Sequence, residues 1–202
     1  TTWLSLMAQG LYETVYMTLV STFMSYMFGL PLGIILTTTD RGHIMPNSWL
    51  NNCLGTLVNL VRSVPFLILM VAVLPLSRLI LGTTIGSSAT IVPLVIGATP
   101  FVARMVESSL KEIDKGVIEA AQSMGASPLQ IIFKVMLPEA YPSLINGSVI
   151  AMTTILGYSA MAGVVGGGGL GDLAIRYGYH RYQTDIMLVT IVILIVVVQI
   201  IQ

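Results

Sequence analysis

Charge is what this 202-residue sequence has least of: nine Lys+Arg and nine Asp+Glu, 9% of the chain, where a soluble domain carries about 25%. That scarcity excludes an ordinary water-soluble enzyme and a disordered chain. The net charge of zero excludes a nucleic-acid binder, which needs a basic face. A single cysteine, Cys53, excludes a disulfide framework. With only His43 and His180 beside it, far apart in the chain, no metal site is expected. No lysine follows a glycine, so there is no phosphate-binding Gly-Lys-Ser/Thr loop and no means of hydrolysing ATP. What the chain has is hydrophobic residues, 55% of it, and a mean hydropathy of +0.89. It reads as an integral membrane protein with room for roughly four to six helices at about 20 residues per span. Nothing at its start resembles a cleavable signal. It begins without Met and ends inside an apolar run, so both ends are expected to be trimmed.

The charge-free stretches place the spans. The first covers 14–39; its Gly29, Pro31 and Gly33 are tolerated in lipid. The second covers 57–81, where the 15 residues between Arg62 and Arg78 cover only about 22 Å of helix, so both can snorkel to the interfaces. The third covers 83–103 and is expected to be interrupted at Pro93 and Pro100. The fourth lies within the uncharged run 140–171, at about 143–165. The fifth covers 186–202. Five spans put the termini on opposite sides. Arg41, Arg62, Arg104, Lys111, Lys115 and Lys134 fall on one side, against Arg78, Arg176 and Arg181 on the other. The positive-inside rule then makes the first side cytoplasmic, the N-terminus external and the C-terminus cytoplasmic.

The longest polar stretch, 107–139, lies on the cytoplasmic side and its punctuation is readable. Val117–Met124 predicts a short helix, with Glu119 near its positive end. Gly125 stands where a left-handed terminator is wanted. Ser127, Pro128 and Gln130 predict a second N-terminus with a capping box. Leu129, Ile132, Val135 and Met136 predict its apolar stripe, and Pro138 its end. Ala120 and Ala121 leave one face small and flat, as close docking requires. The residues alone fit equally an amphipathic hairpin resting on lipid.

Glu119-Ala120-Ala121, Gly125 three residues on, then Val135-x-Leu137-Pro138 resembles the EAA loop of ABC importer permeases, with Val for Ile as the one departure. The resemblance implies an all-α type I importer fold of five helices per subunit. It implies that Glu119, Ala120, Ala121, Met124, Gly125, Ala126, Leu137 and Pro138 form a coupling helix and its surroundings, seated in a separate ATPase subunit. It further implies a second permease copy, two ATPase subunits carrying ATP and Mg, an extracytoplasmic binding protein, and no cofactor or catalytic residue on this chain. The residues agree in one respect. No carboxylate or histidine falls mid-span, where an ion-coupled carrier usually buries one, so energy has to come from outside or the protein is a passive channel. A non-ATP-driven channel or carrier and a structural membrane subunit are the competing classes.

The segment 157–185 is rich in glycine. Gly166-x-Gly168-x-x-Gly171 matches a dinucleotide fingerprint only formally, since no strand precedes it. It reads as a flexible helix-ending turn, or as a close-packed hinge at a pore mouth built on Ala160, Ala162, Gly163 and Gly166. Tyr158, Ser159 and Met161 are candidate gate residues; Met161 could plug a narrow pathway or simply pack. Ser159 with His180 has no acid or oxyanion partner, so a hydrolytic dyad is not expected. Tyr177, Tyr179, Tyr182, Arg176 and Arg181 suit interface anchors, or a docking surface for a binding protein. Arg62–Phe66 (RSVPF), 100–110 (PFVARMVESSL) and 157–171 (GYSAMAGVVGGGGLG) together resemble methionine-importer permeases. That resemblance implies methionine of either hand as substrate, another amino acid or small solute being the alternative.

Overall fold

The computed structural model describes residues 2–202, and among them all regular structure is helical. Helix α1 runs Thr2–Thr38, α2 Ser48–Ser63, α3 Phe66–Leu81, α4 Ser87–Lys111 and α5 Lys115–Ser123. Helix α6, Pro128–Ile131, passes through a π-helical turn at Ile132–Met136 into α7, Leu137–Met161. A 3₁₀ turn at Ala162–Val165, a short α8 at Gly169–Leu173 with a further π turn at Ala174–Tyr179, and α9 at Thr184–Ile201 complete the chain. Four helices are long and apolar enough to cross a membrane, or five if α2 and α3 count as one broken span.

Four boundaries differ from the sequence expectation. Helix α1 starts at Thr2 rather than Thr14. Its 37 residues reach about 55 Å, beyond the ~30 Å hydrocarbon core. The expected second span, 57–81, is not one helix: α2 and α3 meet at a 107° bend. Pro65 supplies the break, because it removes an N–H and pushes the preceding residue out of the helical region. The third span is not interrupted by its prolines; α4 is helical throughout from Ser87 to Lys111. Pro93 frees the carbonyl of Ala89, and the Ser77 hydroxyl on α3 donates to that carbonyl at 2.8 Å, fully buried. The orphan acceptor is therefore satisfied from a neighbouring helix. Finally, Pro138 does not end the second loop helix. It lies in the first turn of α7, just past the π turn, so the chain stays helical from Pro128 to Met161.

The chain forms two compact units. One comprises α1 up to Met24, Val64–Ala98 and Val149–Gln202. Its core gathers Met17, Ile91, Leu94 and Val95, with Tyr16, Phe66 and Tyr158 against them. The other comprises Ser25–Ser63 and Thr99–Ser148, with Leu36, Val58 and Ala103 at its centre and Leu32 and Leu54 beside them. Lipid is as apolar as leucine, so burial drives little here, and close packing does most. In the second unit Gly29 and Gly33 supply it. A Cβ on Gly29 would meet Val102 at 2.7 Å, and one on Gly33 would meet Val106 at 2.6 Å.

Candidate functional site

The segment 114–138 builds up from local rules. Asp114 caps α5, its carboxylate accepting from the Gly116 N–H at 2.8 Å. At the other end Gly125 N–H donates to Gln122 O at 3.0 Å and Ala126 N–H to Ala121 O at 3.2 Å. That paired pattern needs a left-handed residue, and Gly125 takes φ +80°. Ser127 then opens α6 with a reciprocal capping box. Its N–H donates to Gln130 Oε1 at 2.9 Å and its Oγ accepts from Gln130 N–H at 3.3 Å. Both turns are thus held by hydrogen bonds made within a few residues.

The apolar stripe differs from the expected one. Ile131, Ile132 and Met136 are buried, while Leu129 is exposed and Val135 half-buried. The π turn inserts an extra residue, with Leu137 N–H reaching back to Ile132 O, and so rotates the later side chains relative to a regular helix. Two helices do form on either side of the Gly125 turn, α5 and α6, but the second continues through the π turn into α7.

On α5, Ile118 points inward and is buried. Glu119, Ala120, Met124 and Gly125 are exposed; Ala121, Ala126 and Leu137 are half-buried and Pro138 exposed. Met124 stands 87% exposed. The helix is small-faced, bears an exposed methionine and is fixed at both ends. Beside it lies a cavity of about 360 Å³ whose walls are the 40–44 segment, the end of α4 and the inner side of α5, including Glu119. Asp40 and Lys111 pair across this region at 2.8 Å. The Lys111 hydrogen bond, helped by the Arg41 N–H, holds the Asp40 carboxyl below the usual carboxylate range. Lys111 is raised in turn, chiefly by Asp40. Burial pushes His43 below its ordinary value, and its Nδ1 has no partner.

The gate candidates do not share a surface. Tyr158 stacks on Phe66, with centroids 4.3 Å apart and planes at 9°. Ser159 is 1% exposed and donates to Leu156 O of its own helix at 2.6 Å. Met161 is 47% exposed. Ser159 is thus a satisfied core hydroxyl in this structure.

The glycine run is pinned rather than flexible. Gly166, Gly168 and Gly169 all take positive φ. Gly169 N–H donates to Glu13 Oε2 at 2.7 Å and Leu170 N–H to Thr14 Oγ1 at 2.8 Å. Gly86 N–H donates to Gly166 O at 3.2 Å, and Thr90 Oγ1 to Gly167 O at 3.3 Å. Sequence reasoning missed Glu13. A lone carboxylate one position before a charge-free run is its only local signal, and its partner lies 156 residues away. Further on, Asp172 pairs with Arg176, Arg181 rests 4.7 Å over the Tyr177 ring, and Trp3 meets Tyr177 edge-on at 5.4 Å. These aromatics and cations hold one another as well as facing outward.

Comparison with known proteins places this arrangement. Residues 29–202 match the family described as binding-protein-dependent transport system inner membrane component. A probable D-methionine transport system permease protein of Vibrio cholerae is 57% identical over 197 residues, covering 98% of this chain and 88% of that protein. The D-methionine transport system permease protein of Escherichia coli K12 is 50% identical over 158 residues, covering 78% of this chain and 73% of that one. Among solved structures, the inward-facing MetNI methionine ABC transporter has a chain matching at TM-score 0.96 and 48% identity, covering 98% of this chain and 91% of that one. An amino acid ABC transporter with histidines matches at TM-score 0.80 and 18% identity, covering 99% and 91%, which shows the shared fold alone. With its helical membrane architecture and these matches, the chain belongs to the family of binding-protein-dependent transport system inner membrane components.

Proposed function

We propose that this chain is the membrane-spanning subunit of an ATP-driven methionine importer. The observation that carries the coupling role is the α5 face. Glu119, Ala120 and Met124 stand exposed on a helix that Ile118 anchors from inside and that Asp114 and Gly125 fix at its ends. In this reading two copies enclose the pathway and two ATPase subunits, which hold ATP and Mg, seat the α5 helices. An extracytoplasmic protein delivers substrate. Closure of the ATPases pushes α5 and turns the pathway from inward- to outward-facing. The N-terminus lies outside and the C-terminus in the cytoplasm. The relatives that carry D-methionine in their names support methionine as cargo, of either hand. Spans that carry little charge suit a small solute released whole, and do not by themselves choose one.

The test is reconstitution of the chain with its ATPase and binding protein in proteoliposomes. ATP-dependent methionine uptake, with the ATPase copurifying in stoichiometric amount, is expected. Uptake of a polar or charged amino acid in place of methionine refutes the substrate and leaves the importer. Purification without any ATPase refutes the importer.

A further inference from the structure

The charged side chains at the end of α4 are joined in one line. Arg104 Nη1 donates to both carboxylate oxygens of Glu107 at 3.1 and 3.0 Å. Lys111 Nζ donates to Glu107 Oε1 at 3.4 Å and to Asp40 Oδ2 at 2.8 Å. At the far end Arg104 Nη2 donates to Gly55 O at 3.2 Å and to Asn59 Oδ1 at 2.9 Å. The line begins on α2, runs down one face of α4 at three- and four-residue spacing, and ends on the segment that follows α1.

That segment is also fixed at its back. Asn51 Nδ2 donates to Leu36 O at 2.7 Å and to Thr39 Oγ1 at 3.2 Å. Met45 N–H donates to Thr38 O at 3.0 Å, and Asn47 N–H to Thr39 O at 2.9 Å. The loop 39–47 is therefore one stiff piece with α1 and α2. Between it and α5 there is open space: Arg41, His43 and Ile44 face Lys115, Ile118 and Glu119 across the 360 Å³ cavity. The loop does not pack flush on α5, and the Lys111–Asp40 pair bridges where packing does not. Lys111 sits directly before the turn into α5, where Ile113 N–H donates to Leu110 O at 3.3 Å and Asp114 caps the helix. Any displacement of α5 thus reaches Lys111 through a short, bonded link.

An exposed ion pair contributes little to stability. Asp40 and Lys111 are each 42% exposed at the side chain, so energy alone gives no reason for so ordered a line. Direction gives one. We propose that Arg104, Glu107, Lys111 and Asp40 form an ionic strap that makes the loop 39–47 and α2 move together with α5. These are positioning residues, and the inference rests on α5 being the ATPase contact. A push on α5 is then felt at once by α4, through the chain, and by α1 and α2, through the strap. Without the strap the cavity is slack in the linkage.

The test uses the complete transporter in proteoliposomes, comparing Asp40→Asn, Lys111→Gln and the conservative Lys111→Arg. ATPase copurification is read separately, so a failure of the α5 reading shows in the parent complex and a failure of the strap shows only in the variants. The expected result is unchanged copurification and ATP hydrolysis, with uptake per ATP hydrolysed falling about fivefold in Asp40→Asn and Lys111→Gln and near the parent value in Lys111→Arg. Unchanged uptake per ATP in both neutral variants overturns the proposal. So does a parallel loss of copurification and hydrolysis, which would make the pair a docking contact, and so does Lys111→Arg behaving like Lys111→Gln. Thermal midpoints of both neutral variants are expected to match the parent, because a strap of this kind holds direction rather than fold.

Discussion

At the scale of single residues, Gly125 shows how much a backbone angle can decide. Its φ of +80° closes the turn that ends α5, and no heavy atom lies within 4 Å of where a Cβ would stand. A side chain there meets no neighbour in this chain, so its effects are conformational and electrostatic. The left-handed angle costs about 1 kcal/mol for a non-glycine residue, and a carboxylate beside the last carbonyls of α5 faces the negative end of the helix. Gly125→Asp is therefore expected to leave the membrane helices folded, with an unchanged circular dichroism spectrum and melting midpoint. ATPase copurification and methionine uptake are expected to fall severalfold. Normal values for both would remove the coupling role from this turn. Glycine at this position, like Ser127 and Gln130 after it, was legible in the sequence because every bond it makes is to a residue a few positions away.

At the scale of helices, legibility fails where a partner is distant in the chain. Pro93 reads as an interruption because the residues around it contain nothing to accept its consequences; Ser77, on another helix, does. Losing that hydroxyl leaves a buried carbonyl unpaired, at roughly 1–2 kcal/mol. Ser77→Ala is expected to lower the detergent melting midpoint by about 2–8 °C. In a Pro93→Ala background the helix regains its own N–H, and the same substitution is expected to have a smaller effect; equal effects in both backgrounds would break the pairing argument. Pro138 was misread as a stop for a related reason. The π turn at Ile132–Met136 shifts the register before the proline arrives, and apolar residues at Ile131, Ile132, Val135 and Met136 fit either register in sequence. The second span hid its 107° bend because Arg62 and Arg78 could both snorkel to interfaces, which let 57–81 pass as one span despite Val64-Pro65.

For the whole molecule, Cys53 reports on which way the chain threads the bilayer. It is the sole cysteine, free and exposed, on α2. With the N-terminus outside, a membrane-impermeant maleimide is expected to label Cys53 only after cells are permeabilised. Labelling of intact cells, with the reagent shown not to enter, would invert the threading and separate α5 from any cytoplasmic ATPase. Positive charges sketched this topology from sequence because they act by number and side, with no need of exact partners. The gate was not legible: whether Tyr158, Ser159 and Met161 face a path depends on helix rotation, and all three sit in a uniformly apolar stretch.

The pairing of Glu13 with Gly169 also sets a clock on how the protein is made. Its two halves are 156 residues apart, and a ribosome adding about 5–20 residues per second leaves roughly 8–30 s between them. Through that interval the Glu13 carboxylate has no backbone amide to receive, and in hydrocarbon it would be an unpaired charge. It has to wait in water. The stretch of α1 around Glu13 can settle to its final depth only once the segment at Gly169 has emerged, so it waits on residues made much later.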